Sequence, residues 1–408
     1  MSDNRTHGAT TTRDRSCQVN QTSSVAFSPD QGSKVLEDIP RPGRPGSTLR
    51  IGTRRLRAAS AVLVAVAAAG CDRNSETPST SPVVPTLSSA PTTPATSRCT
   101  EEGRVLEFGF FALYEPISYR GGADPTSEVS GGHLGYEADL LTALEAMDGA
   151  GLSFNRRGID VWPGIWLLAA SREFDVVGGG IAILEERTRD ASGMLAVAFT
   201  SGHIVFRHSL LVRSTDAERL AEYSDLTSGD LVGVAVETTG ESRFLQIVGL
   251  IDEAGVLLTG TRVTIPGGIV VSDGSDSYRI AASGSTRNLA GRSHLEPPSA
   301  GFPRVVFFGP ESVRADHLDA LATGQVDALA NDDISNRVAE RESAGLLAVT
   351  ALDTEAELGG FALDQDDEAL LTCLDDKLNY LTDERNVGYA EWLGNPSVFL
   401  ERAEAWTP

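Results

Sequence analysis

The sequence predicts an α/β protein built from two tandem units, and three observations point there. From residue 104 onward, short apolar runs of strand length alternate with stretches of helical periodicity. Up to about residue 177 the order is strand, helix, strand, helix, strand, which calls for a parallel sheet with helices on both faces. After an apolar run at 204–212 the same rhythm starts again at residue 231.

Taken in order, residues 105–111 read as an apolar strand and Tyr114-Glu115-Pro116 as a turn. Residues 134–147 place Leu140, Leu141, Leu144 and Met147 on one helical face. Residues 153–156 are the next strand candidate, 164–171 a short helix and 174–177 a buried strand. In the second unit the spacing predicts a strand over 231–236 and a helix from 240 to about 254. A strand over 305–308, a helix over 312–322 stopping at Gly324 and a strand over 326–330 follow. Residues 255–304 interrupt this unit. They are rich in Gly, Ser, Thr and charge, with strand candidates at 262–265 and near 269–272. A long loop or a β-hairpin decoration is expected. Residues 368–382 form an amphipathic helix with Leu370, Leu371, Leu374, Leu378 and Leu381 inward.

The chain has 408 residues, of which 57 are Asp or Glu and 34 Lys or Arg, a formal net charge of −23. Such a surface argues against nucleic acid, whose phosphates need a basic face. The four cysteines have no metal-ligand spacing and the six histidines are scattered, so neither a metal nor a cofactor is expected.

Residues 1–53 are polar and aperiodic, with PRPGRPG at 40–46. They read as disordered or as a mis-assigned start, with Val35 or Leu49 as the alternative. Residues 54–71, RRLRAASAVLVAVAAAGC, combine Arg54, Arg55 and Arg57 with an apolar run too short for a comfortable bilayer span. This segment resembles the bacterial lipoprotein signal, although Ala68 stands where leucine is usual. The resemblance implies lipidation (palmitate) at Cys71 and a lipid-anchored protein on the extracellular face of the cell membrane. A plain secretory signal and a membrane anchor are the alternatives. Residues 72–98, rich in Ser, Thr and Pro, read as an extended tether. Cys99 lies just before the first strand and Cys373 at the edge of the C-terminal helix's apolar stripe. If that helix returns to the first unit the two meet, export permits the bond, and a Cys99–Cys373 disulfide is predicted.

Residues 162–187, WPGIWLLAASREFDVVGGGIAILEER, are the centre of the reading. Gly178, Gly179 and Gly180 follow a strand and let the backbone approach a ligand. Arg187 then follows from a polar turn, and its planar fork matches a carboxylate. Several segments in sequence are similar to the extracellular solute-binding proteins of family 3, the amino-acid receptors of ATP-driven importers. They are HLGYEADLLTALEAM, FDVVGGGIAILEER, LVGVAVETTGESRF, TGQVDALANDD and WLGNP.

This resemblance covers residues 104–408 apart from 255–304. It implies a two-lobed periplasmic-binding-protein-like fold of type II, each lobe a mixed, mostly parallel sheet with flanking helices. The chain would cross twice, with lobe one at 99–205 and 355–408 and lobe two at 206–354. It implies aromatic ligand walls at Tyr114 and Trp162 and a carboxylate-binding Arg187. Gly180 and Ala182 become close-approach positions, Thr238 and Thr239 a second-lobe turn, and Asp332 the acid for a ligand's amino group. Thr238 and Glu241 have the spacing of a capping box.

The expected function is a monomeric, membrane-tethered receptor, not an enzyme. It would capture a small solute, an α-amino acid or relative, and deliver it to the permease of an ABC importer. The alternatives are a dehydratase-like enzyme on the same fold, with Glu237 or Glu185 as acid, and a sensing or scaffold module that binds a protein through 255–304.

Overall fold

The computed structural model describes residues 98–121 and 132–408. The chain divides into two units, Met1–Thr86 and Leu87–Pro408. The first lies outside the described residues, as do the expected signal with Cys71 and all of the expected tether except Arg98.

Around a first sheet of five strands the chain builds one lobe. Its order is Phe154–Ile159, Leu106–Phe111, Val176–Gly178, Ala362–Asp364, Val197–Phe199. Leu106–Phe111 lies inside the sheet, with Leu106, Phe108 and Phe110 buried on one face, and it pairs in parallel with both neighbours. Ala362–Asp364 enters antiparallel, on the chain's return from the other lobe. The helices Tyr136–Ala146 and Glu368–Leu381 supply Leu140, Leu144, Leu370, Leu374 and Leu378 to one core. Cys99 and Cys373 are disulfide-bonded with their Cα atoms 5.4 Å apart, across a sequence separation of 274. In the chain-entropy account a crosslink of that span stabilises by about 5.6 kcal/mol. His133 lies in this core, its ring stacked on Phe110 at 4.0 Å and its Nε2 2.8 Å from the Ser118 hydroxyl.

A nine-stranded sheet forms the second lobe. Leu231–Ala235 is flanked in parallel by Arg304–Phe308 and Ala328–Asp332, and antiparallel strands complete the sheet on either side. Residues 255–304 extend this sheet. Arg262–Ile265 and Gly268–Val271 form the expected hairpin, and His294–Glu296 joins it to Arg304–Phe308. Val263, Ile280, Leu289 and Leu295 are buried in the lobe's own core, so the segment is an integral part of it. The helix expected from 240 to about 254 is shorter, Thr239–Ile247. Gly249 takes φ +74°, and Leu250 N–H turns back to the Leu245 carbonyl, a left-handed stop.

Two antiparallel neighbours connect the sheets. Ile204–Arg213 pairs at its start with Ala356–Gly359, and further on with Ala328–Asp332 and Leu347–Thr350. The chain leaves the first lobe along one of these strands and returns along the other.

Candidate functional site

A cleft of about 610 Å3 lies between the lobes, within the size range of small-molecule sites. Phe111, Tyr114 and Trp162 wall it from the first lobe, and Thr238, Thr239 and Asp332 from the second. Gly180 and Arg187 border it as well.

Tyr114 is carried by the Leu113–Tyr114 strand, which pairs with Ser118–Arg120. Its hydroxyl hydrogen-bonds the Asp332 carboxylate of the other lobe. Burial, then the charge of Asp332, pushes the tyrosine's pKa well above its ordinary value. Trp162 packs edge-on against Phe111 at 5.1 Å, and its Nε1 donates to the Glu237 carbonyl at 3.0 Å. The Glu237 backbone, at φ +60°, is thus what meets the first lobe.

The two expected close-approach positions stand differently, Gly180 at the border of the cleft and Ala182 away from it. Gly180 has φ +68°, and a Cβ there would lie 2.4 Å from the Tyr114 ring. Its N–H donates to Glu137 Oε1 at 2.8 Å. The missing side chain makes room for a tyrosine, and the amide is spent inside the lobe. Ala182 does not line the cleft. It is buried in the first lobe's core in a β-bridge to Gly359, and its carbonyl accepts from Arg187 Nη1 at 3.2 Å.

Arg187 also differs from the exposed turn residue that its polar neighbours suggest. It is 0% exposed. Its Nη2 donates to the Ala282 carbonyl at 3.1 Å, and its guanidinium lies 4.6 Å from the Trp166 ring centre and 5.4 Å from that of Trp162. Nε is buried with no hydrogen-bond partner among the described residues. Burial lowers the guanidinium pKa to about 10, against the charges of Glu357 and Glu186.

In the second lobe Thr238 caps the Thr239–Ile247 helix. Its hydroxyl accepts from Glu241 N–H at 3.2 Å and donates to the Ala235 carbonyl at 2.8 Å, so both roles of the side chain are used locally. The return arm of the expected capping box is displaced by one residue, since Glu241 Oε2 accepts from Glu237 N–H at 2.7 Å. Glu241 is fully buried against Arg292, with Nε–Oε1 at 2.7 Å and Nη2–Oε2 at 2.6 Å. Thr239 hydrogen-bonds Glu357. Asp332 caps the helix Asp333–Glu342, accepting from Ser335 N–H at 2.7 Å. Burial raises its pKa, against the hydrogen bonds of Ser335 and Tyr114.

Several participants escaped sequence reasoning. Glu357, on the returning strand, sits 2.9 Å from His208 Nε2. Burial pushes its carboxyl up, but His208, Thr239 and the charge of Arg187 outweigh that and hold it low. Glu137 and His203 form a buried pair at 3.1 Å beneath Gly180. Ala282 contributes only a carbonyl, for which no sequence signal exists. Glu185 is 85% exposed and pairs with Arg189 at 3.3 Å.

No family model matches the chain, and no curated protein matches it. Solved structures similar to it include holo ArgBP from T. maritima, at 18% identity over 71% of this chain and 96% of that one, with a TM-score of 0.45. A second is the ancestral amino acid-binding protein AncCDT-1, described as a precursor of cyclohexadienyl dehydratase, at 17% identity over 74% and 96%, TM-score 0.45. A third is the substrate binding protein of an amino acid ABC transporter, at 14% identity over 73% and 100%, TM-score 0.46.

Proposed function

We propose that this protein is an extracellular receptor that captures a small amine-bearing solute, an α-amino acid or relative, between its lobes. The observation that carries the reading is the make-up of the cleft. Tyr114 and Trp162 of one lobe meet Asp332 and the Glu237 backbone of the other, so a solute between them contacts both halves at once. A carboxylate beside aromatic faces suits a cationic nitrogen. The paired strands Ile204–Arg213 and Ala356–Gly359 are the natural hinge for closure on a solute.

Within this proposal the segment ending in Cys71 is a lipoprotein signal, residues 72–98 hold the receptor off the membrane, and the closed form docks on the permease of an ABC importer. The receptor acts without catalysis.

A thermal-shift screen of the purified protein against amino acids, amines and small dipeptides tests the capture step. A solute that binds only the native state raises Tm with its concentration. The expected result is a saturable rise for one class, lost in Asp332→Asn while circular dichroism stays unchanged. No shift with any compound up to millimolar concentration would sink the reading.

A further inference from the structure

Arg187, the residue placed to take a solute's carboxylate, has both terminal nitrogens bonded to the protein itself, and only Nε is left without a partner among the described residues. Nη1 donates to the Ala182 carbonyl and Nη2 to that of Ala282. Ala282 belongs to the turn between Ile280–Ala281 and Gly284–Ser285, inside the segment that interrupts the second unit. That turn is built in from both sides. Toward the first lobe, Ser283 N–H donates to Glu186 Oε1 at 3.0 Å, and Arg279 Nη2 lies 3.4 Å from Glu186 Oε2. Toward its own lobe, Ile280, Ala281 and Ala282 are buried, and Arg292 holds Ser285 Oγ at 2.7 Å while locked to Glu241. A carboxylate reaching Arg187 would have to lift a turn that is pinned at both ends.

The charge balance agrees. Glu357 and Glu186 already act on the Arg187 charge. The other basic groups among the described residues lining the cleft are Arg120, Arg314 and His317. Arg120 lies 3.3 Å from Asp160, and Arg314 2.9 Å from Glu342. His317 is stacked on Phe308 at 4.2 Å and bonded to Ser312, and burial lowers its pKa to about 4, so it is neutral at pH 7. Asp332, an acid of the lining, has no ion pair among the described residues, and of the basic groups only the more distant charge of His208 acts on it.

We infer that the turn around Ala282 takes the place of a solute carboxylate at Arg187, and that the cleft selects primary amines lacking an α-carboxylate over the corresponding amino acids. This inference rests on the receptor reading and narrows it. Asp332 receives the ammonium group, and the faces of Tyr114 and Trp162 cover the rest.

Calorimetric titration of the purified protein with matched pairs tests it: arginine and agmatine, lysine and cadaverine, tyrosine and tyramine. The expected result is at least tenfold tighter binding of the amine in one pair or more. Glu186→Ala, which frees the turn on one side, is expected to narrow that preference at least threefold. An amino acid that binds as tightly as its amine, or a preference that Glu186→Ala leaves unchanged, overturns the inference and leaves the receptor standing. No binding by any of the six compounds, with the fold intact by circular dichroism, overturns this inference and leaves the receptor reading to the wider thermal-shift screen.

Discussion

Arg292 and Arg187 are both buried and both hold the segment at 255–304, but by different chemistry. Arg292 grips two oxygens of one carboxylate, Glu241, inside the second lobe. Arg187 crosses between lobes and meets backbone carbonyls, while its charge is answered from further away by Glu357 and Glu186. A bidentate ion pair tolerates no other partner and fixes one arrangement. A guanidinium on carbonyls makes weaker, replaceable bonds. The first belongs to the architecture of a lobe, the second to the meeting of two lobes.

The largest effect is expected at Arg292. Replacing it with Met leaves Glu241 buried without a counter-charge, and burial already raises that carboxyl's pKa with Arg292 present. The expected loss is about 3–5 kcal/mol in a denaturant titration, with most of it recovered in Arg292→Met/Glu241→Met. A loss below about 1 kcal/mol would show that this pair is not the tie within the lobe.

Arg187→Met is expected to cost less, about 1–3 kcal/mol, since it leaves two carbonyls unpaired while Glu357 keeps His208 and Glu186 keeps Arg279 nearby. Its distinctive effect is on the contact between lobes. Small-angle scattering is expected to show a larger radius of gyration than for the parent protein, whereas Arg292→Met leaves that radius unchanged as long as it folds. Equal radii for the Arg187 variant and the parent would remove the interlobe role.

His133 is a third buried base, and with a hydroxyl in place of a carboxylate beside it, it can give up its proton. Burial, with a smaller contribution from Arg156, lowers its pKa to about 3. Its proton is therefore taken up more readily by the unfolded chain. The associated stability is full above about pH 6.5 and is lost as pH falls from there toward 3, at roughly 1.4 kcal/mol per pH unit. His133→Asn is expected to flatten this slope by about one proton in denaturation series between pH 6 and 4. An unchanged slope would mean that His133 titrates normally.

The smallest effect is expected at the opposite pole of the cleft. Tyr114→Phe removes one hydrogen bond to Asp332 and should cost about 1 kcal/mol, with the Asp332 carboxyl rising further. Carboxyl titration by nuclear magnetic resonance would detect the rise, and a fall instead would contradict the contact.

What was legible in the sequence follows from the range of each interaction. Period-two and period-3.6 patterns placed Leu106–Phe111, Arg262–Ile265 and Glu368–Leu381 close to where they stand, because burial of one face is written locally. The cysteine bond was legible from two ends of one lobe. The state of Arg187 was not. Its neighbours Glu185 and Glu186 are polar, and the carbonyl that buries it lies 95 residues away. Gly180 was readable as a close approach, but the approaching group is Tyr114, and the acid taking its amide is Glu137, 43 residues earlier. Glu357 gives no local signal, since its partners His208 and Thr239 come from another strand and from the start of a helix.

The disulfide also sets a path for force. Cys99 stands at the start of the described chain, its N–H bonded to the Ala150 carbonyl at 2.7 Å, and its sulfur leads directly to Glu368–Leu381. A pull on the chain upstream of Cys99 therefore enters the first lobe at two points and is spread through one core. It bypasses the Ile204–Arg213 and Ala356–Gly359 strands, by which the second lobe hangs. A load applied at that end would leave the two connecting strands unstretched.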